Sequence, residues 1–173
     1  TYLYMYYGNG TVADQWNAAS TWSNGYKGVW HLPNGTILTA NDSTGVNNLT
    51  NTAVTAVTGQ VDGGGSFNGS SASLSKSAPV TTVINNYTME AWIRPANLNQ
   101  ISMAVGNGYD NGSSGTGYAF GLGNGSGSAG AKLQGINSGV AWIDSGYTFP
   151  TANLWYHVVM LRDSGTTKFY VNG

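Results

Sequence analysis

Only seven side chains in the sequence are acidic: Asp14, Asp42, Asp62, Glu90, Asp110, Asp144 and Asp163. Hydrolysis of a glycosidic bond needs two carboxylates roughly 5–10 Å apart. Two acids on one strand meet that need when they are spaced by two, because alternate residues share a face. No two of the seven lie within four positions of each other. The obvious strand for such a pair, Met89-Glu90-Ala91-Trp92, holds a single carboxylate, with Ala and Trp where a partner should stand. Glu90 therefore reads as a structural ion pair or edge residue beside Trp92 and Arg94. A partial glycoside hydrolase remains the weaker alternative. Nucleophilic catalysis fares no better. The two histidines, His31 and His157, fall in apolar runs and read as hydrogen-bonded core residues. There is no cysteine, and no Gly-x-Ser-x-Gly elbow joins a strand to a helix. The Gly-rich tract from Gly121 to Gly130 precedes no helix, so it is not a phosphate loop. The expectation is a protein that is not an enzyme.

Binding chemistry is better supplied. Asn41-Asp42-Ser43-Thr44-Gly45-Val46-Asn47-Asn48 and Tyr109-Asp110-Asn111-Gly112 have the oxygen-rich composition that suits a hard cation. Asp42, Asn47 and Asp110 are the candidate ligands for Ca²⁺. The competing reading is an Asx turn capping each loop. Flat aromatic rings beside amides and carboxylates can stack on a sugar while the polar groups bond its hydroxyls. Tyr109, Asp110, Asn111, Tyr118, Trp142 and Asp144, on or near loops, are the candidate ligand-binding residues. Trp30, Trp92 and Trp155 read as core.

The elements that must carry these residues are strands. Tyr87-Thr88-Met89-Glu90-Ala91-Trp92-Ile93 alternates, with Tyr87, Met89, Ala91 and Ile93 on one face and Thr88, Glu90 and Trp92 on the other. Further strands are expected at Tyr2–Tyr7, Gly28–Pro33, Ala53–Val57, 66–70 and 72–75 across Gly69, Ile101–Gly106, Gly117–Gly123, Lys132–Ile136 and Val140–Asp144. A short helix is open within Val12–Trp22. The chain closes on a hairpin. Trp155 to Leu161 is apolar on both faces, as a central strand should be. Asp163-Ser164-Gly165-Thr166 turns it, and Lys168 to Asn172 returns, with Phe169 and Val171 inward. Many short strands with Gly-rich turns and no long helix predict an all-β, antiparallel β-sandwich.

Composition narrows the setting. Charged residues make up 8% of 173, and the net charge is −1, so no basic stripe exists to neutralise nucleic-acid phosphates. No apolar run reaches the ~20 residues that span a bilayer, so membrane insertion is not expected. The surface must be built of Asn, Ser, Thr, Gly and Tyr, which suits an extracellular or cell-surface location.

Three landmarks fall in order: Gly28-Val29-Trp30-His31-Leu32 with Asp42-Ser43-Thr44-Gly45; Tyr87 to Pro95; and Leu154-Trp155-Tyr156-His157-Val158-Val159 followed by Phe169-Tyr170-Val171-Asn172-Gly173. Together they resemble the laminin-G-like, concanavalin A-like lectin/glucanase jelly-roll family of bacterial and archaeal type, over residues 25–173. Residues 1–24 are similar to the tail of a small β-domain of unknown function (DUF2341) and a linker. The resemblance implies a jelly roll missing its last strands, with an exposed edge beside Phe169-Tyr170-Val171. It also implies a non-catalytic binding or adhesion module of a larger surface or secreted protein. Its expected partners are a glycan or surface polymer and other domains of the same chain. The alternative is a structural spacer.

Overall fold

The computed structural model describes residues 8, 10–11, 13, 17–33, 37–108, 117–137 and 140–173, with the side chains of 140 and 141 excepted. The expected strand at Tyr2–Tyr7 lies outside these residues. One short helix, α1 (Ala18–Thr21), is capped by Asn17, whose side chain accepts from Ser20 N. All other regular structure among the described residues is β. The strands are β1 (Thr50–Thr52), β2 (Thr55–Thr58), β3 (Gly63–Ser66), β4 (Ser73–Ser75), β5 (Tyr87–Ile93), β6 (Ser102–Asn107), β7 (Tyr118–Gly123), β8 (Lys132–Asn137), β9 (Val140–Thr148), β10 (Tyr156–Asp163) and β11 (Thr166–Val171).

The alternation in β5 holds residue by residue, with half-buried and exposed positions alternating along its length. The final hairpin forms as read. Ser164 and Gly165 are the two loop residues, both at positive φ (47° and 90°), and Asp163 pairs with Thr166. Two positive-φ residues give the turn whose twist matches its strands, and Gly165 takes that conformation without a Cβ penalty. Strand β10 is central: it pairs antiparallel with β5 on one side and with β11 on the other. Among the described residues β11 has no second neighbour.

The second sheet has the order β6-β7-β8-β9, all antiparallel. The two sheets close on a core of Phe120, Leu122, Leu133, Phe149, Tyr156, Val158 and Met160, with Tyr87, Met89, Ala91, Ile93, Phe169 and Val171 packed against it. Tyr156, Val158 and Met160 on the inward face of β10 are buried; its other face, expected to be covered as well, is only half-buried. The sheets approach closely at Gly135. A Cβ there would lie 2.7 Å from Phe169 Cζ and 3.3 Å from Met160 Cε.

Three expectations need correction. Gly28–Pro33 is not a strand. Leu32 takes φ 49°, which breaks an extended run, and the segment is tied to the loop around Asp42 by Ser43 N donating to Val29 O. Residues 66–75 do not form a hairpin across Gly69. Asn68 Oδ1 accepts from the backbone N–H groups of Ser70, Ser71 and Ala72, so the turn belongs to Asn68, and β4 pairs with β1 instead. Ala53, expected inside a strand, takes φ 56° and separates β1 from β2.

Phe120 is fully buried at the centre of the core. Phe120→Ala is expected to lower the unfolding free energy by about 3–5 kcal/mol, read from urea denaturation followed by far-UV circular dichroism.

Candidate functional site

The inner faces of the sheets are closed by packing, so the surface available for recognition lies on their outer faces and loops. The expected ligand residues divide among these places. Tyr109, Asp110 and Asn111 lie outside the described residues. Tyr118 is buried, with 3% of its surface exposed, because it falls on the inward face of β7. Its ring stacks on Tyr87 of the facing sheet, with centroids 3.7 Å apart and planes within 10°. Expected on or near a loop, Tyr118 is the first residue of β7, and its packing leaves no ring face exposed. Burial raises the pKa of both tyrosines; a hydrogen bond to Asn107 partly offsets this at Tyr118, and the nearby Arg162 does so at Tyr87.

The two tyrosines belong to a polar network that seals one end of the sandwich. The Asn137 amide, oriented from its neighbours, donates to Tyr87 Oη at 2.8 Å and accepts from Arg162 Nε and Nη1 at 3.0 Å each. Arg162 Nη1 also donates to Thr167 Oγ1. These groups satisfy one another and hold the sheets in register.

Trp142 and Asp144 do come together, on the outer face of β9. They meet the β7–β8 loop, which folds back over Gln134 of β8. Gln134 is fully buried; its Oε1 accepts from Gly125 N and its Nε2 donates to Leu122 O. Asn124 Oδ1 organises the loop tip by accepting from Ser126 N, Ser126 Oγ and Ser128 N. Asp144 pairs with Lys132, and that hydrogen bond, with a second from Gly146 N, holds its carboxyl below the usual range. Gly127, at φ 85°, passes against the Trp142 ring: a Cβ there would stand 2.0 Å from Nε1. Trp142 is therefore half-covered by the loop. Lys132, Gln134 and the loop were not singled out by residue type, because only the fold brings them over β9.

Of the candidate cation ligands, Asp42 and Asn47 are adjacent and buried, at 5% and 8% exposure. Asp42 Oδ1 accepts from Val29 N and Thr44 N, and Oδ2 from Thr44 Oγ1 and Asn47 N. Four protein donors thus occupy the carboxylate, the pattern of an Asx turn extended to a second segment. Asn47 Nδ2 donates to Lys27 O, and Trp30 Nε1 to Asn47 O. Burial alone would raise the pKa of Asp42; the Thr44 hydroxyl and the backbone donors outweigh it and hold the value below normal. Among the described residues no three His, Asp or Glu side chains gather.

The outer face of the β5-β10-β11 sheet carries a second surface, and its residues follow from the register. Trp92 stands opposite His157, and His157 N and O bond Asn172. Glu90 stands opposite Val159, and Val159 opposite Tyr170. Thr88 stands opposite Leu161, and Leu161 opposite Lys168. Trp92 and Tyr170 are 43% and 42% exposed. Trp92, expected in the core, is thus a surface residue, because its side of β5 has no packing partner comparable to the facing sheet. The signal was present: Trp92 shares its face with Thr88, Glu90 and Arg94. Its ring rests on His157, with centroids 5.2 Å apart, and His157 Nε2 lies 3.7 Å from Glu90 Oε2. Glu90 pairs with this imidazole and not with Arg94, whose Nε donates to Asn153 O. His157 is half-buried on the outer face, and His31 is exposed beside Trp22, so neither is a core histidine.

This antiparallel sandwich with a central β10 agrees with a match of residues 62–173 to the family model Laminin_G_3, described as Concanavalin A-like lectin/glucanases superfamily. The chain belongs to this family. Comparisons with curated proteins and with solved structures gave no match. The superfamily spans sugar-binding proteins and glucanases, so the acids bear directly on which kind of chemistry this member carries. Glu90 and Asp144 lie on the outer faces of different sheets. On the face of Glu90 the next described acid is Asp163, four residues along β10 from Val159, or roughly 13 Å.

Two substitutions test this geometry. The folded-state pKa of Asp42 is depressed, so its contribution to stability is present above the unfolded value near 3.9 and is lost as pH falls through the lower folded value. Asp42→Ala is expected to cost about 2–3 kcal/mol at neutral pH and to flatten the acid limb of a pH-stability profile. Gly127→Ala is expected to cost about 1–2 kcal/mol, measured by thermal melting, and to shift the near-ultraviolet signal of Trp142.

Proposed function

We propose that this domain is a non-catalytic carbohydrate-binding module of a surface or secreted protein. The observation that carries the reading is the outer face of β5-β10-β11. It holds two half-exposed aromatic rings on rigid strands, with the Glu90 carboxylate and the His157 imidazole between them and the Thr88 hydroxyl and Lys168 ammonium in the next row. Aromatic planes take the C–H faces of sugars, and the polar groups between them take the hydroxyls. A retaining or inverting mechanism needs paired carboxylates, and the separation of Glu90 from other described acids supports binding without hydrolysis. The low charge of the chain and its Asn-, Ser- and Thr-rich surface support an extracellular setting.

The second reading is a structural spacer within a surface protein. It is favoured by the burial of Tyr118 and the half-covered position of Trp142, which separate two of the expected aromatic residues from any shared open patch.

Screening the 173-residue chain on a glycan array and by affinity electrophoresis in polysaccharide gels decides between them. Binding to at least one glycan without release of reducing sugar is the expected result. Absence of retention on every glycan, with or without added Ca²⁺, would leave the spacer reading, and release of reducing sugar would establish an enzyme.

A further inference from the structure

We infer that the outer face of β5-β10-β11 binds an extended, uncharged polysaccharide along its length, with Trp92 and Tyr170 as two separate stacking platforms; this rests on the carbohydrate-binding reading above. Val159 is opposite both Glu90 and Tyr170, while Trp92 is opposite His157, two residues away along β10. Trp92 and Tyr170 therefore sit on the outer strands of the sheet, offset by one row on the same face. Two strand spacings across and two residues along place their backbones about 12 Å apart. One sugar ring cannot cover both platforms. A chain of at least two or three units crossing β10 diagonally can.

The shape of the face points the same way. A surface depression lined by Asn86, Tyr87, Thr88, Leu161, Arg162 and Asp163 lies toward the turn end of the hairpin. The surface between Trp92 and Tyr170 is a sheet face with Val159 at its centre. Recognition of a chain end needs a pocket that encloses the terminal ring; aromatic rings spaced across a sheet face engage successive units along a chain.

Charge complementarity selects the class. Across these three rows the fixed charges are Glu90 and Lys168, one of each sign. Glu90 is turned toward His157, and Arg94 at the margin is engaged by Asn153 O. Such a face offers both hydrogen-bond donors and acceptors with almost no net field, which matches a neutral polyhydroxyl chain rather than a polyanion. Trp92 is held by its contact with His157, so little side-chain freedom is lost when a sugar stacks on it.

The test is a ladder of β-1,4-linked glucan, mannan and xylan oligosaccharides of one to six units, titrated calorimetrically into the 173-residue chain, with polygalacturonate as an acidic comparison. Affinity for at least one neutral series should rise about tenfold or more between the disaccharide and the hexasaccharide. Trp92→Ala and Tyr170→Ala should each weaken hexasaccharide binding by about tenfold with the melting temperature little changed, since both side chains point outward. Equal affinity for the monosaccharide and the hexasaccharide would overturn engagement along the chain while leaving carbohydrate binding intact. Loss of binding in Trp142→Ala with Trp92→Ala and Tyr170→Ala unaffected would move the site to the other sheet. Preference for polygalacturonate would overturn the uncharged class. Failure of every ladder, together with a negative array, would remove the reading on which the inference rests.

Discussion

The two sheets meet where Gly135 presents bare backbone to Phe169 and Met160, and much of the domain depends on that contact. Any side chain at 135 would push the sheets apart along the row that holds Phe120, Val158 and Leu133 in the core. Interiors pack to near-crystalline density, so a small displacement there is felt across the whole interface. With the inner faces in contact, each strand has one remaining side to present, and the pleat decides which residues those are. Trp92, Glu90, His157 and Tyr170 face outward because Met89, Ala91, Ile93, Val158 and Phe169 face inward.

The domain builds its loops with amides and one buried carboxylate in place of ion pairs. Asn17 caps the helix, Asn68 and Asn124 gather backbone donors in their loops, and Asn107 bridges to Val80 and Thr81. Asp42 joins two segments that share no strand pairing. Short polar side chains that mimic a backbone turn give loops a fixed shape at low charge. This explains how a chain with 8% charged residues shapes its described loops. It also explains why an Asn- and Asp-rich loop reads from sequence as a cation site: the same oxygens serve either purpose, and only the tally of internal donors separates the two.

The proposed binding face is partly written in the alternation. Alternation puts Trp92 on the polar side of β5 and Tyr170 on the side opposite Phe169 and Val171, whereas residue type alone puts Trp92 in the core. Periodicity was the better guide, because tryptophan is often only partly buried. Tyr118 erred in the opposite direction: its nearness to a glycine-rich loop suggested exposure, but its place on β7 puts it against Tyr87. Trp142 and Asp144 share the outer face of β9, being two residues apart on one strand. Lys132, Gln134 and Gly127 could not be added, since they reach that face through strand pairing and a folded-back loop.

The class of the fold, the long strands from β5 onward and the final hairpin are legible in the residues alone. Those follow from local rules: period-two alternation, β-branched and aromatic content, and a turn at Ser164-Gly165. Tertiary structure alone decided which strands are neighbours, which outer face stays open, and which aromatics are spent inside. It also decided that residues 28–33, strand-like in composition, are held as a loop by Asp42. These outcomes depend on contacts between residues far apart in the chain, such as Tyr87 with Tyr118 and Gly135 with Phe169, and no short window of sequence contains both partners.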